Sequence, residues 1–178
     1  LLLGVSTGWL ISMTEFPGRR MMEWALLLPL AFPGYIIAMV YVELLEFSGP
    51  VQEQLRLWFG WQNYMDYWFP PIASLGGAIT MLSLVLFPYV YLLARTAFLQ
   101  QSATLMEASR MLDKSAVNSF FMIALPLARP AIVVGVSLAM METLADFGTM
   151  QLFAVQTFTT GIYNTWFGAY NAPGAAHL

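Results

Sequence analysis

EASRMLDKSAVNSFFMIALP, residues 107–126, is the stretch whose reading decides the fold. Glu107, Arg110, Asp113 and Lys114 fall within eight positions, and apolar runs lie on both sides. Leu105, Ala108, Ser109 and Leu112 recur at i, i+3, i+4 and i+7, the spacing of one helical face. Asp113, Lys114 and Ser115 then interrupt or bend that helix. The apolar segment FFMIALPLA runs through Pro126, and Pro130 suits the first turn of a further helix. The pattern predicts a short polar helix, a bend, a second short helix and a proline-marked return to apolar surroundings. A solvated loop without a partner is the simpler alternative. Such connections need only a few residues, however, and an ordered insert of about 25 residues is expected to bind something.

The surroundings of this insert set the class. The chain has 178 residues, 59% of them hydrophobic and 10% charged, with a mean hydropathy of +0.67. Soluble domains carry about 25% charged residues. One small core could not bury this much apolar surface, so an integral membrane protein is expected. A net charge of −3 gives no footprint for nucleic acid. With no cysteine and the single histidine at His177, disulfides, thiolate sites and multi-histidine metal sites are excluded. The chain begins at Leu1 inside an apolar run and stops at AAHL. It is expected to be a piece of a longer polypeptide.

Spanning helices are predicted at about 21–45, 70–98 and 127–148, after the end of a truncated helix at 1–13. Trp24–Val42 is uncharged between Glu23 and Glu43 and holds Pro29, Pro33 and Gly34. A packed membrane helix tolerates such prolines by kinking, whether as simple structure or as a deformable point near a path. Residues 43–69 carry Trp58, Trp61, Tyr64, Tyr67 and Trp68, rings that favour the membrane–water interface, where PVQEQLRLWFG would lie as a short helix. Gly76, Gly77 and Ala78 permit close helix approach. Residues 149–178 lack Asp, Glu, Lys and Arg and read as an outer segment of short helices. Placing residues 14–20 and 95–129 on one side collects Arg19, Arg20, Arg95, Arg110, Lys114 and Arg129 there and leaves only Arg56 opposite. That asymmetry puts the insert, a loop over 100–126, in the cytoplasm.

The motif Glu-Ala-Ala, three residues, Gly, nine residues, Ile-x-Leu-Pro marks permease subunits of binding-protein-dependent ABC importers. Glu107-Ala108-Ser109, Asp113 and Ile123-Ala124-Leu125-Pro126 resemble it in spacing and ends. Ser109 stands for the second alanine and Asp113 for the glycine. Leu144–Gly168, LADFGTMQLFAVQTFTTGIYNTWFG, resembles the outer segment of ferric-iron-type permeases, a group similar to thiamine and phosphonate permeases. The resemblance implies an all-α, polytopic transmembrane helix bundle of the MetI-like kind with a cytoplasmic coupling helix, in a bacterial inner membrane. It implies a permease that does no chemistry and binds no cofactor or metal of its own. ATP is used by a cytoplasmic ABC ATPase dimer docked on the insert, an extracytoplasmic binding protein delivers the solute, and a second permease half, fused or separate, completes the path. Glu107, Ala108, Ser109, Leu112, Asp113, Ile123, Leu125 and Pro126 would form the coupling segment. Ferric iron is the expected solute, with thiamine, phosphonate, polyamine or another small solute as alternatives.

Glu142 and Asp146 lie four residues apart on one face near the end of an apolar helix. Carboxylates there mark function by default, here a path lining or gate. The alternative is an interfacial position or bonding to neighbouring helices. Tyr35, with Tyr41, Tyr89 and Tyr91, could line the path or simply pack. A membrane-embedded enzyme would need more than these two carboxylates, because no G-x-S-x-G elbow is present. A structural or channel fragment without an energised partner is the third class.

Overall fold

The computed structural model describes residues 1–101 and 116–178. Every regular element among them is helical. In chain order they are α1 (Leu2–Met13), α2 (Arg19–Ala25), a 3-10 turn (Leu28–Ala31), α3 (Gly34–Leu45), α4 (Pro50–Phe59) and α5 (Leu75–Gln100). After the undescribed residues come one turn (Ala116–Ser119), a π-turn (Phe120–Ala124), α6 (Leu125–Ala145), α7 (Phe147–Leu152), α8 (Phe158–Tyr163) with a π-turn (Asn164–Gly168), and α9 (Ala172–Ala176). The architecture is all-α and polytopic. Gly34–Phe59, Leu75–Gln100 and Val117–Ala145 are long and apolar enough to cross a membrane.

The region expected as one kinked helix over 21–45 forms three pieces instead: α2, the 3-10 turn and α3. Pro29 and Pro33 supply no N–H, and each ring crowds the carbonyl four residues back. Phe32 precedes Pro33 and is pushed away from helical geometry, whereas Leu28, before Pro29, opens the 3-10 turn. Pro33 itself is extended, with ψ 138, and α3 restarts at Gly34. At its far end α3 stops where Glu46 turns extended. Pro88 lies inside α5 and is buried there.

The chain forms two compact units, residues 1–31 with 86–141 and residues 32–85 with 142–178. In the first, Val5, Val90, Ala94, Phe98, Ala124, Ala128 and Ile132 form the core. Lipid tails are as apolar as leucine, so helices in a membrane associate through close packing rather than water exclusion. Glycines supply that closeness. A Cβ on Gly4 would lie 2.7 Å from Val90 Cβ and 2.9 Å from the Phe87 carbonyl. A Cβ on Gly135 would lie 2.9 Å from Val90 Cα. Thus α1 and α6 both meet the α5 backbone at Val90. Trp9 lies edge-on to Phe98 at 5.4 Å and 5.0 Å from Phe120, an aromatic cluster at the ends of α5 and the π-turn.

In the second unit α3 packs on α7, and Phe153 is fully buried. α4 starts with proline in its first turn after Gly49 and ends at Gly60 with φ +72, the left-handed closure that glycine permits.

Candidate functional sites

Glu107, Ala108, Ser109, Leu112 and Asp113 of the expected coupling segment lie outside the described residues. Its closing residues are described. Ile123 lies in the π-turn, and Leu125 and Pro126 open α6. The Leu125 N–H donates to the Phe120 carbonyl, a five-residue step. The widening falls one residue before Pro126, where the next backbone donor is missing. Single π-turns within helices recur at functional positions. The end of α5 is fastened to the same turn, because Gln101 Nε2 donates to the Ala124 carbonyl at 2.9 Å. Ala124 is fully buried, so this bond satisfies a carbonyl that water cannot reach. The Trp9–Phe98–Phe120 cluster packs beside it. Gln101 and Ala124, toward the two ends of the insert, are thereby joined.

Two of the three candidate path residues come together. Asp146 is the N-cap of α7, its Oδ1 accepting from the Thr149 N–H at 2.9 Å. Its Oδ2 faces the start of α3, where a Cβ on Gly34 would lie 3.6 Å away. The next residue, Tyr35, packs against Gly148: a Cβ there would come within 3.2 Å of Tyr35 Cβ. Thr149 is fully buried, and its hydroxyl has no partner among the described residues. Tyr35 is half-exposed. Glu142 is exposed on α6, one turn before Asp146, and no ion pair holds it among the described residues. Of the other tyrosines, Tyr91 is buried and Tyr41 borders a cavity of about 410 Å³ in the second unit.

The aromatic loop folds around one cation. Arg56 lies 4.1 Å over the Phe47 ring and donates to the Phe47 carbonyl at 2.7 Å and to Tyr67 Oη at 3.2 Å. Tyr67 donates in turn to Gln52 Oε1, and buried Gln52 donates to the Leu45 carbonyl at 2.7 Å. Phe59, Trp61 and Tyr67 stack at 4.6 and 4.7 Å. The Asp66 carboxylate accepts the N–H groups of Asn63 and Gln62, each at 2.8 Å. These bonds, Asn63's first, hold its pKa below the ordinary carboxylate value. Gln52, Gln101 and the Gly4–Gly8 pair were not singled out in the sequence. The glycines carry a readable signal, a small-xxx-small spacing in an apolar run; the glutamines carry none.

Residues 1–176 match the family model described as a binding-protein-dependent transport system inner membrane component. The chain belongs to this family. The permease domain is 30% identical to the molybdenum transport system permease protein ModB of Escherichia coli (strain K12), over 84% of the chain and 62% of that protein. It is 27% identical to the Fe(3+)-transport system permease protein FbpB 2 of Haemophilus influenzae, over 99% of the chain and 30% of that protein. A probable sulfate transport system permease protein, cysT of Nephroselmis olivacea, is 26% identical over 83% of the chain and 49% of that protein. The chain thus spans less than two thirds of the length of these relatives. Family and apolar helices together make it a multi-pass inner-membrane domain.

Proposed function

We propose that this permease domain forms part of one membrane half of an ATP-driven importer, with the loop over 100–126 docking on a cytoplasmic ATPase. The family match over residues 1–176 carries this reading. The fastened base at Gln101–Ala124 supports it, because a load on the insert would pass into α5 and α6 rather than unwinding their ends. In this reading an extracytoplasmic binding protein delivers the solute, and a second membrane half, fused or separate, closes the path. The basic residues on the side of residues 14–20 and 95–129 support a cytoplasmic insert.

For the solute, an inorganic oxyanion is favoured by the molybdenum-named relatives at 28–30% identity. Ferric iron, the solute expected from Leu144–Gly168, remains the second reading, supported by the FbpB 2 match across nearly the whole chain. The test uses the full-length permease with its ATPase in proteoliposomes. Glu107→Arg, or bulk introduced at Ala108, is expected to abolish uptake and weaken ATPase association while membrane insertion persists. Uptake that survives both changes refutes the coupling role. Competition of uptake by molybdate, sulfate and ferric citrate then separates the solute readings.

A further inference from the structure

We propose that one acyl chain of a membrane phospholipid lodges in the cavity of the second unit, between α3 and the first turns of α5. The inference rests on the chain's place in a membrane, not on the coupling role or on which solute is carried.

The cavity, of about 410 Å³, is walled by Tyr41 and Leu45 of α3, by Gly76, Thr80 and Met81 of α5, and by Phe153. Ligand sites commonly enclose about 300–1,000 Å³. Among the described residues no Asp, Glu, Lys, Arg or His lines it. The aliphatic hydroxyls of the lining are already engaged: Thr80 donates to the Gly76 carbonyl at 2.8 Å, and Ser74 to the Pro71 carbonyl at 2.6 Å. A polar guest would exchange water for few unpaired partners, at a cost that a hydrocarbon guest does not bear. Residue 76 leaves the space open, because a Cβ there would meet only Ser74 Oγ, at 3.8 Å.

Depth in the bilayer selects an acyl chain. α5 is long and apolar enough to span, and residues 76–81 fall in its first turns, within about 10 Å of its end at 1.5 Å per residue. Leu45 and residues 69–72 also line a second cavity, of about 500 Å³, whose other walls include Glu46, Tyr64 and Trp68. Trp68 is 83% exposed and Tyr64 66%, and rings of this kind favour the headgroup level of a bilayer. The uncharged cavity thus adjoins the level at which acyl chains are tethered. A further helix, about 10–12 Å across with its side chains, is too broad to enter and could only cover the mouth. A single hydrocarbon chain is narrow enough to go in.

The test uses the full-length permease in phosphatidylcholine vesicles containing a phosphatidylcholine with a photoreactive diazirine on one acyl chain. Crosslinked residues are mapped by peptide mass spectrometry. Met81 and Phe153 are buried yet line the cavity, so a chain sliding over the outer surface cannot label them. Wild type is expected to be labelled at both. Gly76→Leu fills the cavity with a better helix former and is expected to lose this labelling, while labelling of exposed Val133 and Val134 on α6 stays at the wild-type level. Undiminished labelling of Met81 and Phe153 in Gly76→Leu overturns the site. A parallel fall at Val133 and Val134 would mean a general loss of lipid contact and overturns it too. So does a wild type unlabelled at Met81 and Phe153, the result if the rest of the full-length chain or a second membrane half closes the cavity. Equal labelling of the two residues by a water-soluble diazirine would make the cavity aqueous and also overturn the proposal.

Discussion

Gly135 of α6 meets Val90 of α5 backbone to backbone: a Cβ at 135 would stand 2.9 Å from Val90 Cα and 3.1 Å from the Tyr89 carbonyl. Gly4 reaches the same residue from α1. Backbone cannot yield as a flexible side chain does, so added volume must part the helices. Gly135→Ala and Gly4→Ala are each expected to cost about 1–3 kcal/mol by overpacking. Gly168→Ala, with nothing within 4 Å of the new methyl and no positive φ, is expected to be neutral. Thermal melts of the detergent-purified full chain check the order; a Gly168→Ala loss equal to that of Gly135→Ala would contradict it.

Asp146 allows stability and function to be separated. As the cap of α7 it needs only an acceptor oxygen. Asp146→Asn keeps one and is expected to hold the melting temperature, whereas Asp146→Ala is expected to lose about 1 kcal/mol. If the negative charge itself lines the path, the Asn variant loses uptake at unchanged stability. Uptake by the Asn variant at the wild-type rate would leave Asp146 as a cap alone.

Gln101→Ala removes the only described side-chain bond to the Ala124 carbonyl and leaves that oxygen buried. Ala124 stays within a continuous helical run, so a loss of about 0.5–1.5 kcal/mol, the net worth of one hydrogen bond, is expected. In the assembled importer the variant is also expected to hydrolyse more ATP per solute moved, because the base of the insert loosens. Parallel assays of hydrolysis and uptake measure that ratio, and an unchanged ratio argues against a mechanical role for this bond.

The turn at residues 62–66 is expected to be acid-sensitive. Asp66 has a lowered pKa in the fold, caused by the Asn63 and Gln62 N–H groups. A depressed carboxylate stabilises above its unfolded value, and that contribution is lost as pH falls through the lower folded value. Amide exchange at Asn63 and Gln62, measured against the intrinsic rate at each pH, should therefore be protected at neutral pH and lose that protection as pH falls through the folded value. Asp66→Asn should quicken it at all pH values, because neutral amide oxygen is a weaker acceptor.

What the sequence made legible was what periodicity and charge encode. The long uncharged run around α5 and the polar insert both stood out, whereas Pro130, expected in the first turn of a helix, lies inside α6, and Pro126 stands at its opening instead. The break between α2 and α3 was less visible. Pro29 and Pro33 read equally as a kink, and only their combined effect on neighbouring carbonyls decides for separate pieces. The Gly4–Gly8 spacing was present, but its meaning needs the α5 surface it meets. Arg56 looked like the lone outward cation, yet the fold turns it onto Phe47 and Tyr67. Such pairings join residues through space, and no local pattern announces them.

The bond from Gln101 to Ala124 has one more consequence. Closing a loop costs entropy that depends on bringing its ends together, and here the neighbours of those ends are already joined. Whatever sequence occupies the interval adds little to that cost. An exchange that leaves the membrane helices undisturbed must still stop before Phe120, which lies between these two residues and packs on Trp9 and Phe98.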